Sequence, residues 1–479
     1  MARAGAGGPL PDAFGIELDP AVRRLDGGTV VAGGSPLRLL RLTDGGRRLI
    51  DRLVAGEPVP PTAGAQGLVR RLLDAGIAHP RPGVSPFTVD DVTVVVPVKD
   101  DAAALGATLD AIGRAGHVVV VDDGSHAALR AGVDVPDDVE LVRNERSLGP
   151  GGAREVGWRR ATSPLVAFVD TGCTPEPGWL EPLLAHLADP RVAAVAPRIV
   201  TRTAAGAPAW LIAYETARSS LDLGARPGPV RPRSWVPYVP TAVLLVRRDA
   251  LESLGGFDAA LRYGEDVDLV WRLGEAGWTV RYEPAVVASH PMRSTFGAWL
   301  RQRYDYGSSA APLARRHGRA LAPLVVSAWS AAAWALAALG FRKSAIALAA
   351  GTTAALTPKL RGLQHPAREA VRLGGLGHLY AGRAVADAVT RPWWPFALGA
   401  ALVSRRARGA VALAVVVPPL VSWYQDRPEL GPAPWVALNL VDDVAYGAGV
   451  WVGVLRERST AALVPDLSSW PGRRAALEG

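Results

Sequence analysis

The chain has almost no cysteine. Cys173 is the single thiol in 479 residues, so no internal disulfide can form and no zinc site can be built on it unaided, which suits a reducing compartment. A secretory leader is also missing. Residues 1–16 show no positive segment followed by an apolar run, so the catalytic part is expected to stay where it is made. Charged residues make up only 20% against 49% hydrophobic, which excludes disorder as the general state. The formal charge is +8, carried by arginine, yet no helix-turn-helix pattern or aromatic-interleaved basic stretch accompanies it. Nucleic acid is therefore not expected as a partner. The excess lies mainly after Pro291, beside apolar segments, where an anionic membrane surface fits. An arginine-rich genome would give the same numbers with no partner at all.

Composition divides the chain into four stretches. Residues 1–14 are small and rich in Pro and Gly and read as a disordered tail. Residues 15–82 read as a small winged-helix-like module. Its strands are Gly15–Leu18 and Thr29–Val31, with Pro36–Leu42 either a strand or a helix start. Thr43 is placed to cap a helix through Leu53, and a second helix, Ala65–Leu73, is closed by Gly76. The apolar set Leu39, Leu40, Leu49, Ile50, Leu53, Leu72 and Leu73 would form its core.

Residues 90–310 alternate strand and helix. Val92–Pro97, Val118–Val121, Glu140–Arg143 and Leu165–Val169 are apolar runs of buried-strand type, separated by helical stretches at Ala102–Arg114 and Gly151–Arg160. That pattern predicts a doubly wound α/β sheet, with ligands beyond the carboxyl ends of the strands. Residues 311–479 are apolar and rich in Arg and Ala. Ala320–Phe341 holds 22 uncharged residues, enough to span a bilayer at about 20. Buried or interfacial helices fit the same composition. Shorter uncharged stretches follow, and Asp442-Asp443 interrupts the last of them. Basic clusters on both sides leave the topology open.

The acidic groups sit where the sheet would present them. Asp122-Asp123-Gly124-Ser125 follows a valine strand, and a carboxylate there can accept from a base or ribose; an Asx cap is the plainer reading. The glycines of Asn144–Arg154 allow close backbone approach, the next helix start favours phosphate, and Arg154 lies in its first turn. Asp170 ends a buried strand, a place where oxygen ligands hold Mg²⁺ or Mn²⁺ between phosphates. Glu265 and Asp266 open an amphipathic helix. Asp266 can take a proton from a hydroxyl, and for Glu265 the helix dipole is a sufficient account.

In this order, the stretches VTVVVPVKDD, VVVDDGS, NERSLGPGGAREVG, FVDTGC, GGFDAALRYGEDVDLVWRL and WLRQRYDYG resemble the family 2 glycosyltransferases, with a GT-A Rossmann-like fold. The resemblance covers roughly residues 90–310. It implies that Pro97, Asp101 and Asp123 line the nucleotide pocket, with Arg154 beside the diphosphate. It makes Asp170 the first acid of a DxD motif and Asp266 the catalytic base, and it puts a metal on Asp170 and His290. Glu265, Trp299 and Arg303 fall on the acceptor side. The sequence departs from the family at Gly172, where a second Asp is usual, and this puts the divalent cation in doubt. No second, nucleophilic carboxylate is apparent, so a single inverting displacement is expected.

Residues 15–82 resemble PqqD-type modules, which bind precursor peptides by strand addition. Head, transferase and apolar tail together resemble the glycosyltransferases of the mycofactocin system. That implies transfer from UDP-glucose to a peptide-derived small-molecule acceptor, in β-1,4 linkage, at the cytoplasmic face of the membrane as a multi-pass or surface-bound protein. Precursor peptide or partner enzymes would engage the head. The alternatives are a membrane transferase of envelope polysaccharide and a non-catalytic ligand-presenting protein.

Overall fold

The computed structural model describes residues 8–127, 129 and 135–467. Two compact units result. One holds Met1–Ala204 and Arg218–Met292, the other Ala205–Ala217 and Arg293–Gly479. The division falls at 292/293 rather than at the expected 310/311, and one helix from the middle of the transferase stretch joins the second unit.

The head opens with β1 (Gly15–Leu18), β2 (Arg23–Leu25), β3 (Val30–Gly33) and β4 (Arg38–Arg41), followed by α1 (Asp44–Val54), α2 (Ala63–Ala75) and β5 (Ala78–Arg81). β2-β3-β4 form one antiparallel sheet and β1 pairs with β5. Thr43 caps α1 by accepting from the Gly46 N–H, and Gly76 closes α2 at φ 65°, where a side chain would be strained.

Two expectations fail here. Residues 8–14 are not a loose tail, because Leu10 and Phe14 are buried in the head core; residues 1–7 lie outside the described residues. Leu39 faces solvent on β4 instead of joining the core. The head is fastened to the transferase by buried charge. Asp19 accepts from His79 Nε2 at 2.9 Å and from Arg226 Nε at 2.8 Å, and Arg70 pairs with Asp189.

The transferase part runs β6 (Val92–Val98), α3 (Ala102–Ile112), β7 (His117–Asp122), β8 (Val139–Arg143), α4 (Gly149–Trp158), β9 (Leu165–Val169), β10 (Thr174–Pro175), α5 (Leu180–His186) and β11 (Val192–Arg202). α6 (Ala209–Arg218) then departs to the second unit. β12 (Gly228–Pro229), β13 (Val243–Arg247), α7 (Arg248–Leu254), α8 (Glu265–Glu275) and β14 (Thr279–Pro291) complete it.

The sheet order is β10-β14-β11-β13-β9-β6-β7-β8, with β12 on β14. The parallel half β8-β7-β6-β9 follows the sequence reading, but the sheet is mixed because β13 runs antiparallel between β9 and β11. The valines of β6 and β7 fill its core. Gly157 lets α4 lie close on it, since a Cβ there would fall 2.3 Å from Val95 Cγ1.

The second unit contains α6, α9 (Phe296–Ser308), α10 (Ala310–His317), β15 (Val325–Val326), α11 (Ala328–Ala338), α12 (Arg342–Ala354), α13 (Pro366–Thr390), α14 (Trp394–Val403), α15 (Arg405–Asp426), α16 (Pro432–Glu457) and β16 (Asp466–Leu467). α9 and α16 touch through glycine. A Cβ on Gly449 would lie 2.0 Å from the Tyr304 carbonyl oxygen, and one on Gly307 2.0 Å from that of Tyr446.

Ala320–Phe341 is not one span. It breaks into a 3-10 turn, β15 and the 11-residue α11, about 16 Å long at 1.5 Å per residue against a hydrocarbon core of about 30 Å. Among the described residues, two helices are long and apolar enough to cross a membrane, α15 and α16. α15 buries only Ser422 completely and contains Pro418 and Pro419. Asp442 and Asp443 do not interrupt α16, because both are paired. Asp442 accepts from Tyr214 Oη at 3.0 Å, and Asp443 accepts from Thr390 Oγ1 at 2.7 Å and Arg391 Nε at 2.6 Å.

Candidate active site

Four charged side chains converge at the ends of β9, α4 and α8. Arg154 of α4 is 3% exposed. Its Nη2 donates to Asp170 Oδ1 at 2.6 Å and its Nη1 to Glu265 Oε1 at 2.8 Å. Burial opposes that charge, but the carboxylates of Asp170 and Glu265 outweigh it and hold the guanidinium pKa above its usual value. Asp170 sits on the turn after β9, its backbone N–H donating to the Ala242 carbonyl at 2.8 Å. Glu265 starts α8 after Gly264, which adopts φ 79°.

Asp266, beside it, is half-buried and accepts from the Val267 N–H at 2.8 Å. Burial first, then the neighbouring Glu265, pushes its pKa up to about 7. A carboxyl poised there is a far stronger base than an ordinary aspartate, while still half ionised at neutral pH.

The departure at Gly172 has a structural cause. Its φ is +90°, and a Cβ would meet Pro291 Cγ at 3.1 Å. Its N–H donates to Thr108 Oγ1 at 2.8 Å, and its carbonyl accepts from Arg202 Nη2 at 2.7 Å. An aspartate would be strained in backbone and crowded in side chain. The same contact brings the Asp170 turn against the end of β14 that carries His290. His290 Nδ1 lies 2.8 Å from the Pro291 carbonyl. A carbonyl only accepts, so Nδ1 donates this bond.

Among the described residues, no three His, Cys, Asp or Glu side chains cluster as a metal site. Asp170 and His290 thus offer at most a pair, with one Asp170 oxygen already accepting from Arg154. Mg²⁺ is commonly held by one or two protein groups and completed by substrate phosphates, and this donor set fits that mode rather than an all-protein cage.

The other expected site residues have the following surroundings. Asp123 is buried, and its carboxylate already accepts four hydrogen bonds: from Asn144 Nδ2 and the Leu148 N–H on Oδ1, at 2.9 and 2.8 Å, and from Ser147 Oγ and the Gly149 N–H on Oδ2, at 2.6 and 2.9 Å. Burial acts against the charge, yet these bonds hold its pKa below the ordinary value. It ties the Asn144–Gly149 loop to the start of α4 and has no acceptor position left for a base. Arg154 is committed to two carboxylates, those of Asp170 and Glu265. Glu265 is buried against Arg154, and a Cβ on Gly151 would meet its side chain.

Trp299 and Arg303 lie in the second unit. Trp299 is fully buried and donates to Glu215 Oε1 at 2.8 Å; Arg303 is buried between Glu215 and Asp442. Pro97 is half-buried, and its carbonyl accepts from Thr171 Oγ1 at 2.7 Å. Asp101 is exposed and caps α3 through the Ala104 N–H at 3.1 Å. Thr108 and Arg202, which set the Gly172 turn, carried no signal in the sequence. Neither belongs to a motif, and β11 and α3 meet that turn only through the fold.

The model of the glycosyl transferase family 2 matches residues 93–255. The chain is similar to the pre-mycofactocin glycosyltransferase of Mycobacterium tuberculosis (strain H37Rv), with 41% identity over 472 residues, covering 96% of this chain and 98% of that protein. It is also similar to mouse polypeptide N-acetylgalactosaminyltransferase 15, at 32% identity over 37% of this chain and 31% of that one. Among solved structures, a mannosyltransferase from Pyrobaculum calidifontis in complex with GDP-Man and Mn²⁺ superposes with a TM-score of 0.45 at 19% identity, over 79% of this chain and 91% of that one.

Proposed function

The chain belongs to the pre-mycofactocin glycosyltransferase family, and from that premise we propose that it transfers glucose from UDP-glucose to pre-mycofactocin with inversion, building a β-1,4-linked chain. The observation that carries this reading is Asp266, a carboxyl pushed up to about 7 beside the Arg154-bridged pair Asp170 and Glu265. A neutral hydroxyl is a weak nucleophile. Asp266 takes its proton as the oxygen attacks the anomeric carbon, the bond to the diphosphate oxygen breaks, and UDP departs. One displacement from an α-linked donor gives a β-linked product.

Asp170 and His290 are the groups that would hold a Mg²⁺ or Mn²⁺ ion, which when bound supplies positive charge to the departing diphosphate. Arg154 keeps Asp170 and Glu265 in place, Asp123 shapes the pocket wall by fixing the loop before α4, and Pro97 and Asp101 sit at the nucleotide side.

The head fits a PqqD-like role. β4 is an edge strand with Leu39 exposed on it and Leu37 exposed just before it, a place where an extended peptide can add a strand. The buried Asp19–Arg226 pair lets the same module brace the transferase.

The full-length protein, incubated with UDP-glucose and pre-mycofactocin, should yield a hexose-spaced mass ladder and one UDP per hexose. Chelator should abolish it, and His290→Ala should raise the Mn²⁺ requirement. Transfer to envelope glycans, or no UDP release with either acceptor, would refute the assignment. Full activity in chelator would remove the metal from Asp170 and His290.

We also place the protein at the cytoplasmic face of the membrane through the exposed α15. It should sediment with membranes, and high salt should not release it. Release by salt would make the attachment electrostatic.

A further inference from the structure

Arg154 and Glu155 are neighbours on α4, but their side chains reach different places. Arg154 bridges Asp170 and Glu265. The Glu155 carboxylate turns to the stretch between α7 and α8. Its Oε2 accepts from the Phe257 N–H at 2.9 Å and from the Trp158 indole N–H at 2.6 Å, and its Oε1 pairs with Arg159 at 2.6 Å.

The Phe257 N–H and the Gly256 carbonyl belong to one peptide group, and that group is held from its other end as well. The carbonyl accepts from Arg272 Nη2 at 2.7 Å. Arg272 lies on α8, where it also donates to the Leu254 carbonyl at 3.1 Å and to Asp268 Oδ2 at 2.7 Å. A single amide thus links α4 to α8. Gly255 and Gly256 adopt φ of 74° and 80°, and a Cβ on Gly256 would run into the Glu155 carboxylate. Only glycine allows that approach. Phe257 then packs edge-on against Phe168 of β9 at 5.2 Å, two residues before Asp170.

We propose that Glu155 is a positioning residue of the transfer reaction: by holding the Gly256–Phe257 peptide group against Arg272, it fixes α8 and with it the place of Asp266. The inference rests on the reading of Asp266 as the base.

The Arg154–Glu265 bridge ties α8 to α4 at one point, in the first turn of the helix. A helix tied at one point can still pivot about it. Arg272 sits about two turns further along α8, so the peptide group it grips supplies the second tie, and Glu155 is the α4 end of that tie. A displacement of about 1 Å at a reacting group can cost on the order of 100-fold in rate, so the second tie acts on chemistry as well as on stability. Phe257 and Trp158 are both buried, and without Glu155 two buried N–H donors would lose the acceptor they share.

Two measurements on the full-length protein test this. The first reads no turnover. Amide exchange by mass spectrometry over residues 254–268 should be at least about tenfold faster in Glu155→Ala, which has no acceptor, and in Glu155→Asp, which falls a methylene short. Glu155→Gln keeps an acceptor oxygen for both donors and should stay within about threefold of wild type. The second is UDP release. Glu155→Ala should lower kcat at least about tenfold with KM for the donor within about threefold, and Glu155→Gln should recover most of the loss. In an Asp266→Asn background Glu155→Ala should cost nothing further, because a residue that acts through the base has nothing left to position. If Glu155→Ala does not fold, Glu155→Asp carries both measurements.

Wild-type exchange in Glu155→Ala overturns the proposal. So does faster exchange with unchanged kcat, which makes Glu155 a structural prop, or a loss that adds in full to that of Asp266→Asn. Wild-type turnover in Asp266→Asn alone refutes the base reading instead, and the exchange measurement then still decides whether Glu155 holds α8.

Discussion

Replacing Asp266 with asparagine is expected to lower turnover by at least about 100-fold while leaving UDP affinity nearly unchanged. The substitution keeps shape and the acceptor oxygen for the Val267 N–H but removes the group that takes the acceptor's proton. The pH profile should carry the same signature. Burial and Glu265 raise the Asp266 pKa to about 7, and the reaction needs its ionised form. In wild type, kcat/KM should therefore rise with pH along a limb centred near 7 and level off above it. Below that midpoint the carboxyl is protonated and cannot accept. In Asp266→Asn the limb should vanish along with the activity. Steady-state UDP release across pH 5.5 to 9 (roughly the range the assigned bases span), with calorimetric UDP titration, measures both. Wild-type turnover in the variant, or an unchanged limb, would take the base role from Asp266.

The start of α8 was legible in the sequence because Gly-Glu-Asp opening an amphipathic helix is a local pattern. The same holds for the Thr43 cap, the Gly76 stop and the valine strands, each written within one turn or one strand. What the sequence could not carry was pairing at a distance. β13 reads as another apolar run, and nothing in it states that it will lie antiparallel to β9. α6 looks like part of the transferase stretch, yet Tyr214 and Glu215 find their partners in Trp299, Arg303 and Asp442. Trp299 and Arg303 were put on the acceptor side by resemblance, and a motif carries a role over without stating what will cover its side chains. The surroundings of Asp123 were hidden for the same reason: the four donors to its carboxylate come from a loop more than twenty residues on. Ala320–Phe341 misled through composition, since alanine makes a segment apolar without making it one helix.

Removing the Arg154 guanidinium should cost both fold stability and catalysis, and the two losses should be separable. In Arg154→Met the apolar stem remains, but Asp170 and Glu265 lose the cation they share. Breaking a buried pair typically costs about 3–5 kcal/mol, because the partner charge stays behind unpaired. The Asp170 side chain is 26% exposed and Glu265 9% exposed, so water screens the first more than the second, and the lower part of that range is expected. The catalytic loss has its own cause. Arg154 is one of the influences drawing the Asp266 pKa down, against burial, Glu265 and Asp170. Without it the proton is held more tightly, and the pH limb should move to higher pH as well as lower in height. Arg154→Lys keeps the charge, but a single ammonium on a flexible stem lacks the fork that reaches Asp170 and Glu265 together, so it should recover only part of either property. Pairing Arg154→Met with Glu265→Gln should restore some stability by removing the stranded charge, and should bring the limb back towards lower pH by removing the like charge beside Asp266. Chemical unfolding and pH-dependent UDP release on these four proteins test the argument. An Arg154→Met protein with wild-type stability and an unmoved limb would show that the bridge between Asp170 and Glu265 contributes to neither.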